Sequence, residues 1–212
     1  MTLSVIPLTL LCLGDSYTIG EAVLPEESFG YQAVELLKKQ DIVFAEPEII
    51  AQTGWTTDEL ASAITERDLQ GTFDFVTLLI GVNNQYRQRA IENYKEEFTS
   101  LLQTAIKYAN NKRERVVVVS IPDWGVTPFI AQDAHKRSRE AIANEIDAFN
   151  AAQESVCKAA GIHFINITTE SRNARGDRAL IAEDGLHPSA KMYAAWAGKV
   201  AERIEQVLKQ HK

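Results

Sequence analysis

Two cysteines in 212 residues are too few for a fold stapled by disulfides. Cys12 lies in an apolar, strand-like run and Cys157 in a helix-like one. Neither has neighbours at metal-ligand spacing, so both read as buried free thiols, with a reducing cytoplasm as the default compartment. The four histidines are as scattered as the cysteines, and no metal or other cofactor is expected. Positive charge is also in short supply. Against 29 Asp and Glu stand 22 Lys and Arg, a formal net charge of −7, which argues against a nucleic acid as the main partner. No basic residue precedes Lys38. The apolar run from Leu3 to Leu13 therefore lacks the cationic flank of a secretory signal, and it runs into Gly14-Asp15-Ser16 rather than a small-residue cleavage site. It also falls far short of the ~20 residues that span a bilayer, so no membrane insertion is expected. Repeats, low-complexity tracts and linkers rich in Gly, Ser or Pro are absent. With 45% hydrophobic and 24% charged residues, the composition excludes a disordered, collagen-like or coiled-coil chain and fits one domain over residues 1–212.

Short apolar runs rich in β-branched residues alternate with longer stretches of helical periodicity. Strands are expected at Val5–Leu13, Val43–Ala51, Phe73–Ile80, Arg115–Ile121 and Ile162–Ile167. Helices are expected at Ser28–Gln40, Thr57–Leu69, Gln88–Asn110, Asp133–Ala160 and Ala190–Lys209. Thr56 and Glu59 have capping-box spacing ahead of the second helix, and Pro188-Ser189 punctuates the chain before the last. A continuous apolar run such as Val116-Val117-Val118-Val119 suits a parallel strand with helices on both faces. Right-handed crossovers then build an α/β fold, a three-layer α/β/α sandwich around a five-stranded parallel sheet.

In such a sheet, ligands bind beyond the carboxyl ends of the strands. The residues there are Gly14-Asp15-Ser16-Tyr17, Gln52-Thr53-Gly54-Trp55, Gly81-Val82-Asn83-Asn84, Pro122-Asp123-Trp124-Gly125, and a loop ending in Asp184-Gly185-Leu186-His187-Pro188. Together they offer a hydroxyl, glycines, carboxamides, acids and an imidazole. A serine hydroxyl needs a nearby base, and histidine is the side chain that titrates near neutrality, which makes Ser16 and His187 a candidate nucleophile and base. Asp184, three residues before His187 in a glycine-containing turn, can orient the imidazole. The N–H groups of Ser16 and Gly54 and the carboxamide of Asn83 can meet a developing oxyanion. Asp15 reads as structural, its carboxylate bonding backbone donors of the turn.

These blocks, in this order over the whole chain, resemble the SGNH superfamily of GDSL-type esterases and lipases, named for four residues that here are Ser16, Gly54, Asn83 and His187. The resemblance implies a flavodoxin-like sandwich and a cofactor-independent serine esterase. By it, Ser16 is the nucleophile, His187 the base, Asp184 the orienting acid, and Ser16, Gly54 and Asn83 the oxyanion hole. The expected reaction is hydrolysis of a small-molecule carboxylic ester through an acyl-serine, the substrate being a short acyl ester, an O-acetylated sugar or a lysophospholipid. Tyr17 and Asn84 depart from the family's commoner Gly-Asp-Ser-Leu and Gly-x-Asn-Asp blocks. The stretch Gly81 to Arg87 resembles a variant found among bacterial lysophospholipase-like and arylesterase-like members.

Weaker signals surround this core. Trp124 and Phe129, in a segment punctuated by Pro122 and Pro128, are candidates for a substrate wall. Arg87 and Arg89 are candidate contacts for an anionic substrate group, with Glu92 or Glu96 as competing ion-pair partners. Lys136, Arg137 and Arg139 read as a solvated helix face. Two other functions remain open. One is a flavodoxin-like phosphate- or flavin-binding module with Ser16-Tyr17-Thr18-Ile19-Gly20 at a helix N-terminus; the other is an inactive carbohydrate-binding relative.

Overall fold

The structure is a computed structural model that describes residues 6–210. Val5 of the first expected strand, and Leu3 to Val5 of the apolar run, lie outside the described residues. Five strands form one sheet: β1 (Leu10–Asp15), β2 (Glu48–Gln52), β3 (Phe75–Leu79), β4 (Val116–Val119) and β5 (His163–Ile165). All pairings are parallel and the order is β2-β1-β3-β4-β5. Among the described residues there are also eight α-helices: α1 (Ser16–Ile19), α2 (Phe29–Lys38), α3 (Thr57–Arg67), α4 (Val82–Tyr86), α5 (Ile91–Tyr108), α6 (Arg139–Ala160), α7 (Thr168–Arg172) and α8 (Ala190–Gln210). One face of the sheet is covered by α2 packed on α8, the other by α5 between α3 and α6.

The continuous apolar strands follow from this double cover. Leu11, Leu13 and Val116 to Val119 are fully buried, and burying each such side chain contributes about 1.5–3 kcal/mol. Both thiols are buried and free, and burial pushes each up to about 12. No helix among the described residues is long and apolar enough to cross a membrane.

Element boundaries differ from expectation where side chains compete for the backbone. The second strand starts at Glu48 rather than Val43 because Pro47 lacks an N–H; before it, only Phe44 pairs, with Leu8, as an isolated bridge. Helix α3 ends at Arg67, with Asp68 left-handed at φ +41°. The expected helix Gln88–Asn110 is α5, which starts only at Ile91 because Gln88 turns left-handed at φ +54°; the short α4 before it was not anticipated. The helix expected from Asp133 starts at Arg139, because the Ser138 hydroxyl caps it through Ala141 N–H, at 3.0 Å, and Asp133 folds the preceding turn onto itself. Helix α7 was not anticipated at all. The capping box at Thr56 forms as expected, Thr56 N–H donating to Glu59 Oε2 at 2.8 Å.

The order β2-β1-β3 places a topological switch between β1 and β3, where consecutive crossovers leave the sheet in opposite directions and open a crevice at the carboxyl edge. Ser16 follows β1 directly, and Asn83 lies four residues beyond β3. That crevice is where the candidate site sits.

Candidate active site

Ser16 is the first residue of the single-turn helix α1. The preceding Asp15 caps that turn, Oδ1 accepting from Tyr17 N–H at 3.0 Å, as expected for a structural role. The turn approaches β3 so closely that a Cβ on Gly14 would stand 2.0 Å from Thr18 Oγ1 and 2.3 Å from the Leu79 carbonyl. Only glycine fits there, and the close approach brings the Ser16 hydroxyl to the edge of the crevice.

The Asp184–His187 loop comes from the other end of the chain, 171 residues later. Its shape is set by Asp184, whose Oδ1 accepts from the N–H groups of Leu186 and His187 at 2.9 and 3.0 Å. Oδ2 of the same carboxylate lies 2.5 Å from His187 Nδ1, and His187 Nε2 lies 2.9 Å from Ser16 Oγ. Burial alone would raise the Asp184 carboxyl, but the hydrogen bonds from His187 and the two N–H groups outweigh it and hold the group below its ordinary value. An ionised acid, an imidazole and a hydroxyl thus form one hydrogen-bonded line, able to pass the serine proton to the imidazole. Ser16 and His187 are 4% and 6% exposed.

Asn83 and Gly54 arrive on neighbouring loops that are laced together. Asn83 Nδ2 donates to the Trp55 carbonyl at 2.9 Å. Asn84 and Thr57 exchange two hydrogen bonds, Thr57 N–H to Asn84 Oδ1 at 3.1 Å and Asn84 Nδ2 to Thr57 Oγ1 at 2.6 Å. A carboxamide suits that reciprocal pair because it both donates and accepts, which a carboxylate cannot. Gly54 adopts φ +85°, a left-handed turn conformation. It lies beside Asn83 through the Trp55 bond but is not part of the cavity lining.

A cavity of about 90 Å³ opens on Ser16, His187 and Asn83. Its wall is aromatic: Tyr86, Trp124 and Phe129 stand with ring centroids 5.4–6.3 Å apart. Tyr17 closes the side next to the imidazole, its ring 5.2 Å from that of His187. Phe129 is tied to the His187 loop by its N–H, which donates to the Gly185 carbonyl at 3.1 Å. Trp124 and Phe129 both line this cavity. Tyr86 was not anticipated, although it follows Asn83 by three residues on one helical turn and so shares its face.

Three expectations are corrected. Arg87 does not line the cavity; Nη2 donates to the Gly54 carbonyl at 2.7 Å and Nη1 pairs with Glu59 at 3.2 Å. Arg89 pairs with Asp58 at 2.5 Å, so neither arginine takes Glu92 or Glu96. Glu59 and Asp58 sit at the start of α3, which Thr57 and Asn84 tie to α4, a long-range proximity that local spacing does not reveal. Arg137 is not on a solvated face, its side chain being 7% exposed.

The model of the GDSL-like lipase/acylhydrolase family matches residues 12–195. The chain belongs to that family, and it is a hydrolase of this acylhydrolase class. Among solved structures it is similar to a lipase/acylhydrolase from Enterococcus faecalis, at 19% identity and TM-score 0.70 over 94% of this chain and 96% of that one. An acetyl-xylooligosaccharide esterase from Geobacillus matches at 19% identity and TM-score 0.68, covering 93% and 94% of the two chains. A psychrotrophic esterase from Pseudoalteromonas matches at 15% and 0.65, covering 95% and 98%. At such identities these likenesses establish the shared fold. No curated protein matches the chain.

Proposed function

We propose that this protein is a serine esterase that cleaves short-chain carboxylic esters through an acyl-serine intermediate. The observation that carries the reading is the line from Ser16 Oγ to His187 Nε2, 2.9 Å, and from His187 Nδ1 to Asp184 Oδ2, 2.5 Å. In the acylation step, Ser16 Oγ bonds to the ester carbonyl carbon as its proton passes to His187 Nε2. Asp184 fixes the tautomer that leaves Nε2 free to accept and stabilises the imidazolium that forms. The carbonyl oxygen becomes an oxyanion, facing the Ser16 N–H and the Asn83 carboxamide, which keeps a second N–H beyond the one given to Trp55. Collapse breaks the bond to the alkoxy oxygen, which takes the proton from His187 and leaves as the alcohol. Water then repeats the sequence on the acyl-serine: His187 removes its proton, hydroxide oxygen bonds to the acyl carbon, and Ser16 leaves with the proton as the carboxylic acid departs.

The size and chemistry of the cavity support a short acyl group. A cavity of about 90 Å³ lined by three rings suits an acyl group of few atoms. An acetyl ester of a small alcohol or a sugar fits this better than a lysophospholipid. The phosphate-binding alternative is disfavoured by Asp15, whose carboxyl already takes the Tyr17 N–H at the start of the four-residue α1.

The test is hydrolysis of p-nitrophenyl acetate, butyrate, octanoate and palmitate by wild type and Ser16→Ala, with labelling by a fluorophosphonate. Turnover and labelling that both vanish in Ser16→Ala, with acetate or butyrate preferred, are expected. Equal turnover in the two proteins would reject Ser16 as nucleophile.

A further inference from the structure

Arg137 has no part in the proton transfers, yet its side chain is 7% exposed and packs directly on the cavity wall. Its guanidinium carbon stands 5.2 Å from the ring centroid of Trp124 and 5.8 Å from that of Tyr86. Nη2 and Nε donate to the two oxygens of Asp133 at 2.9 and 3.1 Å, and Nη1 donates to Glu145 Oε2 at 2.9 Å. The same Glu145 oxygen accepts from Gln85 Nε2 at 2.5 Å, and Gln85 Oε1 accepts from Trp124 Nε1 at 2.8 Å. The network is closed: from Arg137 through Glu145 and Gln85 to Trp124, and back by the stacked rings.

Each link restrains the wall. A guanidinium over two aromatic faces is attracted by their quadrupoles, and the bidentate carboxylate leaves it little rotational freedom. Asp133 is wholly buried at its side chain, so separating the pair would leave an unpaired buried charge. Trp124 therefore cannot recede without breaking its hydrogen bond to Gln85 and displacing the cation behind it. Arg137 itself is not in the cavity lining.

We propose that Arg137 is a positioning residue that sets the acyl-length selectivity of this site, bracing Tyr86 and Trp124 from behind so that the cavity stays sized for a short acyl group. This rests on the esterase reading above. Without the brace, the rings gain the space of the guanidinium, longer chains enter, and the fit around a short chain loosens.

The experiment measures kcat and KM on p-nitrophenyl acetate, butyrate, hexanoate and octanoate for wild type, Arg137→Lys, Arg137→Met, Glu145→Gln and Ser16→Ala. Alongside, 19F spectra of protein carrying 5-fluorotryptophan report the wall directly, with the Trp124 resonance assigned from Trp124→Phe. Arg137→Met is expected to raise the octanoate-to-acetate ratio of kcat/KM by about tenfold, with KM for acetate rising more than kcat falls. Arg137→Lys keeps the charge but not the planar fork, and follows Met rather than wild type. The Trp124 resonance shifts or broadens while those of Trp55 and Trp196 stay. Glu145→Gln retains an oxygen for Gln85 and gives a smaller change in the same direction; it decides the matter if Arg137→Met does not fold. Ser16-dependent turnover with an unchanged chain-length profile in the folded variants overturns the role of Arg137 alone, as does an equal loss on every ester carried by kcat. Absence of Ser16-dependent turnover in wild type overturns the esterase reading and the selectivity role together.

Discussion

Asp15 is a carboxyl group fully buried directly before the nucleophile, with Oδ1 bonded to Tyr17 N–H and Oδ2 without a partner. Burial pushes it from an ordinary value of 3.8 up to about 7, the Tyr17 N–H offsetting only part of that rise. The folded state therefore favours the neutral acid and the unfolded state ionises first. The stabilisation that this preference represents is fully present below about pH 3.8, is lost progressively as pH rises, and is gone above about 7. A difference of about three in pKa, at 1.36 kcal/mol each, makes the whole effect about 4 kcal/mol, of which about 2–3 kcal/mol falls between pH 5 and 8. Asn at this position mimics the neutral acid in shape and keeps an acceptor for Tyr17 N–H, but it does not titrate. Asp15→Asn should thus be close to wild type in stability near pH 4 and more stable by a growing margin at pH 7 and 8. Urea unfolding at pH 5, 6, 7 and 8, with equal m-values for the two proteins, measures the margin free of every other titrating group. A margin that does not change with pH would refute the reasoning, because it would mean that the Asp15 carboxyl ionises equally in both states.

Other outcomes follow from the same contacts. Asp184→Asn should lower kcat by about 10⁴ with KM little changed, since the amide can donate to Nδ1 and favour the wrong tautomer; a loss below tenfold in steady-state kinetics would remove Asp184 from its role. Asn83→Ala should cost about 10²–10³ in kcat on p-nitrophenyl acetate, whereas a change confined to KM would place the carboxamide in ground-state binding. Gly14→Ala must fit a methyl 2.0 Å from Thr18 Oγ1 and 2.3 Å from the Leu79 carbonyl, and should destabilise by about 3 kcal/mol or more in thermal or urea unfolding; a loss under 1 kcal/mol would show that the turn before Ser16 relaxes freely.

The layers of the fold were legible because they depend on patterns that short stretches carry alone. Val116 to Val119 could only be a strand buried on both faces, and five such runs between helical periods imply a parallel sheet. Boundaries were harder. Pro47, Gln88 and the Asp133 to Ser138 turn each end or delay an element through one side chain or one left-handed residue, and the hydrophobic period does not register such details. Within the site, Ser16, Asn83 and Trp124 were identifiable by lying just past strand ends, where a parallel sheet exposes its ligand edge, and Asp184 and His187 by their three-residue spacing in a glycine-containing turn before the last helix. Tyr86 escaped notice because one aromatic on a short helix is ordinarily core. Arg87 and Arg137 were misplaced because each packs against groups that local spacing does not report, Arg87 against Glu59 on α3 and Arg137 against the ring of Tyr86 on α4.

Residue order alone, then, carried the alternation of strands and helices, the chemical types at the sheet edge and the identity of the hydroxyl, imidazole and carboxylate that meet there. These are local properties, written in periodicity and in a few short blocks. Folding in three dimensions decided the rest. It set the 2.9 Å reach between side chains 171 residues apart, the depth that pushes Asp15 towards neutrality, and the burial of Arg137 behind the wall. Each of those depends on which atoms from distant segments exclude water together, and that is a property of the packed molecule rather than of any stretch of chain.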